Sequence, residues 1–177
     1  MKDKGAQMLE IMCAALEIKE KMKSFYSDAA GKCSDRVGTE TFQMLKDIEQ
    51  KHLERLQQIY ADLSKGGSDV DACRFYDIEA PDRAEVLRKL RQKRKTVAEA
   101  CLDDVAAIES GMELENKGID MFSAWLKEAS GPAEREFLNH MIAEERSHYI
   151  LLADLKFYYI DTEHWLMEKS KSGLDGA

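Results

Sequence analysis

Apolar residues recur at three-to-four spacing through four long stretches of this chain, the pattern of helices that bury one stripe each. The first stripe, Met8, Ile11, Met12, Ala15, Leu16, Ile18, Met22, Phe25 and Tyr26, predicts a helix over residues 7–30. The second, Phe42, Leu45, Leu53, Leu56 and Ile59, predicts one that ends near residue 63, capped by Thr39 after a polar turn over 31–38. Ile108, Met112, Ile119 and Phe122 carry a third helix to about residue 129, where Gly131-Pro132 ends it. Leu138, Met141, Leu152 and Leu155 carry a fourth over 133–159. Ser64-Lys-Gly-Gly-Ser-Asp breaks the pattern between the second and third helices, which leaves a long crossover. Pro81 suits a helix start at Asp82, so part of that crossover should be helical through Val86, Leu87 and Leu90. Residues 161–177 read as a tail with few features of regular structure.

Six charged or titratable residues interrupt the apolar stripes. Glu49 and His52 stand three apart on the second, Glu145 and His148 three apart on the fourth, Glu115 on the third and Lys19 on the first. Side chains three apart share a helix face, so carboxylate and imidazole both point into the core, where they need a metal, a proton or a counter-charge. The two Glu-x-x-His phrases lie 96 residues apart. The same slide matches Leu45 to Met141, Leu56 to Leu152, Tyr26 to Phe122 and Ile18 to Leu114, so the chain reads as a duplicated helix pair. It also sets Lys19 on Glu115, the one odd position. By contrast, Glu17 and Glu20 fall towards solvent, and His140 and His164 lie off the repeat and should be solvated.

Composition narrows the class. At 177 residues, 44% apolar and 34% charged, with two prolines, the chain suits one nearly all-helical domain. A net charge of -8 argues against nucleic-acid binding, and no segment reads as a membrane span or signal peptide, so a cytoplasmic location is expected. The four cysteines, Cys13, Cys33, Cys73 and Cys101, include no Cys-x-x-Cys pair, which excludes a rubredoxin or zinc module and favours reduced thiols. The basic run Arg88-Lys-Leu-Arg-Gln-Lys-Arg-Lys95 reads as a solvated helix face, or as a dock for an acidic partner. Trp165, Leu166 and Leu174 of the tail should pack on the bundle or on a neighbouring subunit, a partner-binding peptide being the alternative.

Four helices with a long crossover, two bearing Glu-x-x-His, match the arrangement of ferritin-like di-iron carboxylate proteins. At Ala15-Leu-Glu-Ile-Lys19-Glu-Lys-Met-Lys-Ser-Phe-Tyr26 and Met112-Glu-Leu-Glu115-Asn-Lys-Gly-Ile-Asp-Met-Phe122 the chain resembles the rubrerythrin branch of that superfamily, without its rubredoxin domain. The closing Gly-Leu-Asp-Gly is also similar to tails of rubredoxin-less members. The resemblance implies an all-α, ferritin-like four-helix bundle over 1–160 with a tail over 161–177. It also implies metal ligands Glu49, His52, Glu115, Glu145 and His148, and a homodimer.

The family's first-helix glutamate is replaced by Lys19. Three carboxylates with a protonated lysine leave two negative charges, which one divalent ion neutralises and a second would overcompensate in a low-dielectric core. Lys19 can instead be a neutral nitrogen ligand, a carbamylated and hence carboxylate ligand, or an ammonium that simply replaces the ion. Lys19 and Tyr26, which can hydrogen-bond a ligand carboxylate or relay an electron, are the candidates for a catalytic role. Two functions follow as expectations. One is a non-haem iron oxidoreductase acting on peroxide or dioxygen, with one or two ions per chain and an external electron donor. The other is a redox-inactive ferritin-like protein that binds one metal or none, in a structural, sensing or metal-handling role. Manganese or zinc in place of iron is open in either case.

Overall fold

A computed structural model describes residues 4–64, 82–92 and 102–171, and every regular element among the described residues is a helix. In order they are α1 (Lys4–Lys32), α2 (Arg36–Ser64), α3 (Arg83–Gln92), α4 (Leu102–Glu128), α5 (Pro132–Ile160) and α6 (Thr162–Lys171). Helix α1 packs along α2, α4 along α5, and α1 also meets α4. The duplication is visible in the helix bounds, because α2 moved by 96 residues falls on 132–160, the span of α5. None of the described helices is long and apolar enough to cross a membrane.

The turns differ from expectation at one cap. Only three residues separate α1 from α2, and Asp35 caps α2 by accepting the Val37 and Gly38 N–H groups at 2.9 and 3.1 Å. Thr39, expected at the cap, lies inside α2 and donates to the Cys33 carbonyl at 3.2 Å. Glycine at 38 is required by close approach, since a Cβ there would stand 2.5 Å from Cys33 Sγ and 2.6 Å from the Tyr159 hydroxyl. At the α5 start, Gly131 precedes Pro132, and Glu134 Oε2 reaches back to the N–H groups of Ser130 and Gly131 at 3.1 and 3.3 Å. Asp82 caps α3 by accepting the Glu85 N–H at 2.9 Å, one residue from the expected start. The rest of the crossover, over 65–81 and 93–101, lies outside the described residues, as do Cys73, Cys101, Leu174 and three of the basic residues. Within the described part of the basic run, Arg88 is exposed, Lys89 pairs with Glu40 and Glu85, and Leu90 is buried.

The tail requires a correction, because most of it is α6. Asp161 caps this helix through the His164 N–H at 3.1 Å, and the buried Trp165 meets the Tyr158 ring edge-on with centroids 5.2 Å apart. A ten-residue helix with a single large apolar anchor has no periodicity to detect, which is why the stretch read as irregular. Asp154 of α5 ties the covering helices down: Arg83 of α3 reaches its Oδ2 at 2.6 Å and Lys169 of α6 its Oδ1 at 2.9 Å. Trp165 belongs to one apolar cluster with Val86, Leu90, Leu151 and Leu155. Trp165→Ala should therefore cost about 3–5 kcal/mol, read as a lower urea midpoint. A midpoint equal to wild type would mean that α6 is not part of the cooperative fold.

At the α1–α2 junction, Cys33 is partly covered and donates weakly to the Asp35 carbonyl at 3.6 Å. Burial, helped by the Asp104 carboxylate, pushes its thiol up to about 11. Iodoacetamide labelling of Cys33, followed by peptide mass spectrometry, should stay slow through pH 9 and accelerate towards pH 11. Full labelling at pH 8 in folded protein would contradict this.

Among the described residues the interior has two apolar clusters. Met12, Ala15, Leu56, Phe122 and Met141 belong to one, and Met22, Tyr26, Leu45, Ile108 and Leu152 to the other. On each long helix at least one fully buried charged or titratable residue lies between those two groups.

Candidate metal centre

That polar layer is built one helix at a time. Lys19 follows Ala15 and precedes Met22 on α1, while Glu49 and His52 lie between Leu45 and Leu56 on α2. Glu115 lies between Ile108 and Phe122 on α4, and Glu145 and His148 between Met141 and Leu152 on α5. All six are buried, with no more than 1% exposure. The sequence-assigned residues therefore meet in one layer.

Lys19 Nζ is the hub of one side. It lies 2.9 Å from Glu49 Oε2, 3.1 Å from Glu49 Oε1 and 2.8 Å from Glu145 Oε1. On the other side His148 Nδ1 stands 3.1 Å from Glu49 Oε1 and 3.4 Å from Glu115 Oε1. The Tyr26 hydroxyl donates to Glu115 Oε1, so this residue is both a core aromatic and a direct partner of the site. A Cβ at residue 118 would come within 3.3 Å of Glu145 Cγ, and Gly118 thus leaves room for that carboxyl beside α4. Donor atoms from Glu49, Glu115, Glu145 and His148 all lie within 4.8 Å of one another, the spacing of a group able to hold a metal ion. His52 is set apart from the four, with Nδ1 3.5 Å from Glu49 Oε2 and Nε2 3.3 Å from Glu144 Oε2. Its ring is stacked on that of His148 at 6.1 Å.

The charges are mutually determined. Burial opposes the Lys19 ammonium, but the carboxylates of Glu145, Glu49, Glu115 and Glu144 outweigh it and hold the amine protonated well above its ordinary range. Burial likewise opposes the Glu49 charge, yet Lys19 and the two imidazoles keep it well below the usual carboxylate range. For Glu145 burial prevails, with Glu115 and Glu49 adding repulsion that offsets Lys19, so its carboxyl is pushed well up. Glu115 is held down by His148 in spite of burial. His148 is raised to about 10 by Glu115 and Glu49 although burial alone would lower it. Burial and then Glu115 keep the Tyr26 phenol protonated.

Without metal, then, Lys19 and His148 are drawn towards their cationic forms, Glu49 and Glu115 towards their anionic forms, and Glu145 towards its protonated form. Glu115 Oε2 and Glu145 Oε2 are buried and find no hydrogen-bond partner. A mixed carboxylate and imidazole set with such orphaned buried oxygens fits a first-row divalent metal.

Glu144, 19% exposed, escaped the sequence reading because it stands one place off the Glu-x-x-His face. His164 is exposed as expected and pairs with Asp161 at 2.5 Å, whereas His140 is half-buried. Set against known proteins, the chain matches no family model, no curated protein and no solved structure. What the centre can do must be read from its own groups.

Proposed function

We propose that the chain is a ferritin-like, rubrerythrin-type four-helix metal protein whose centre takes one divalent ion, iron being the first candidate. Glu49, Glu115, Glu145 and His148 would hold it, with Lys19 as a permanent cation where the family has a fourth carboxylate. The observation that carries this is the Lys19 ammonium bonded to the glutamates of both Glu-x-x-His pairs. An ammonium on those two oxygens competes for lone pairs that two metal ions would share, and its charge makes a second divalent ion unfavourable. Neutral or carbamylated lysine is disfavoured by the same contacts, since the surrounding carboxylates stabilise the proton on Nζ.

A bound iron ion supplies Lewis acidity and a one-electron couple. The chain's own groups bind and balance it: His148 orients Nδ1 at two carboxylates, Tyr26 holds a hydroxyl proton at Glu115, and the apolar clusters on both sides exclude water. A single such ion does not favour two-electron reduction of an O–O bond, which supports metal handling or sensing as the role. The second reading, a peroxide or dioxygen oxidoreductase fed by an external donor, is favoured by Tyr26, an oxidisable phenol in direct contact with a proposed ligand.

Elemental analysis together with peroxide consumption under a supplied reductant separates the two. The expected result is about one ion per wild-type chain with slow turnover, and both values rising in Lys19→Glu. Two irons per wild-type chain with rapid turnover would instead establish a di-iron enzyme.

A further inference from the structure

On α5, Glu136, His140, Glu144 and His148 follow one another at intervals of four. Each step of four residues advances about 6 Å and turns about 40° beyond a full circle, so such a row winds around its helix. This row begins on the solvent side and ends in the core. Glu136 is exposed, His140 half-buried, Glu144 19% exposed and His148 buried in the metal centre. The outer end opens on a surface groove lined by Pro132, Arg135, Glu136, Asn139, His140 and Ala143. Arg135, the cation of that lining, turns its guanidinium onto the Leu126 and Ala129 carbonyls at 3.2 and 3.3 Å. At the inner end Glu144 meets His52 at 3.3 Å, and His52 in turn stands 3.5 Å from Glu49.

A buried centre between two apolar clusters poses a problem of access, because a divalent ion cannot cross hydrocarbon without ligands. Every member of the row is a carboxylate or an imidazole, both of which bind first-row metals. Among the described acids of the centre, Glu49, Glu115 and Glu145 are fully buried, and Glu144 alone reaches both solvent and cluster.

We propose that Glu136, His140 and Glu144 form the route by which a divalent cation passes between the surface groove and the centre, with Glu144 and His52 delivering it to Glu49. This rests on the metal-binding reading above. On such a route a residue sets the rate of passage in both directions and leaves the equilibrium nearly unchanged, which distinguishes it from a ligand.

The test uses full-length metal-free protein and Co²⁺ alone as probe. Loading is followed by visible absorption and release by transfer to EDTA. Glu144→Gln and His140→Gln should each slow loading and release together, by about ten-fold, with stoichiometry unchanged in both, dissociation constant unchanged in His140→Gln, and only the small loss of affinity expected of one removed neighbouring charge in Glu144→Gln. Glu17→Gln, an exposed change on α1, should keep wild-type rates. Wild-type rates in both route variants would overturn the proposal, as would a Glu144→Gln protein that loads at the wild-type rate but binds about a hundredfold or more weaker, since Glu144 would then be a ligand. His140→Gln, at a half-buried position, keeps the test open should Glu144→Gln fold poorly. Absence of Co²⁺ uptake by the wild type would refute the metal reading itself, before any variant is compared.

Discussion

Metal-free Lys19→Met protein should be about 3–5 kcal/mol less stable than the wild type at pH 7, the usual cost of removing one partner from a buried ion pair. Methionine fills nearly the same unbranched volume, so the loss reports charge more than packing. Glu49, fully buried and kept ionised chiefly by Lys19 against its desolvation, would have to take up a proton or remain an uncompensated anion. The sign of the pH effect follows. Because the folded state lowers Glu49 below its ordinary value of 4.5, its contribution is present above that pH and fades as pH falls through the folded value. The gap between wild type and Lys19→Met should accordingly narrow in acid. Guanidinium denaturation of both proteins in the presence of chelator, at pH 7 and at about pH 3, below the ordinary carboxylate value, measures it. Equal midpoints at pH 7 would show that the ammonium is not a structural counter-charge.

The second large effect is proton release on metal binding. In the metal-free layer His148 is raised to about 10 by its carboxylate neighbours and Glu145 is pushed well above its ordinary value by burial, so both are drawn towards their protonated forms. Metal ligation needs both groups unprotonated, so one divalent ion displaces two protons and leaves the net charge of the layer unchanged. Proton binding competes with the metal, so apparent affinity must rise with pH, by up to about a hundredfold per unit while both protons are held. The dependence flattens above about 10, where His148 loses its proton unaided. Calorimetric titration with Zn²⁺ in two buffers of different ionisation enthalpy counts the protons. Close to two at pH 7 is expected, and none would refute the charge assignment.

The centre was legible because a carboxylate or imidazole in an apolar helical stripe is costly unless paired, and the 96-residue repeat supplied a second copy of the signal. Lys19, Glu49, Glu115, Glu145 and His148 all lie where that logic set them. What was not legible depended on contacts across the fold. His52 could not be separated from His148 by spacing alone, because its approach to Glu144 is a contact between α2 and α5. The Asp35 cap lost out to Thr39 since both residue types cap helices and only the backbone path decides. Trp165 lacked apolar companions at helical spacing, although Asp161, four places before it, was a readable capping signal.

The lysine also bears on how two like halves find each other. A duplicated hairpin invites pairing with its own kind, as when the α4–α5 units of two chains dock and exclude the α1–α2 units. Such a self-pair would gather two copies each of Glu115, Glu145 and His148 with no ammonium among them, and an α1–α2 self-pair would leave each Lys19 with Glu49 but without Glu145. Only the mixed pair brings Lys19 against Glu145 across the helix interface. Breaking the internal symmetry at one buried position thus gives the mixed pair an ion pair that neither like-with-like assembly can form, a contact that favours the unlike pairing of the two hairpins.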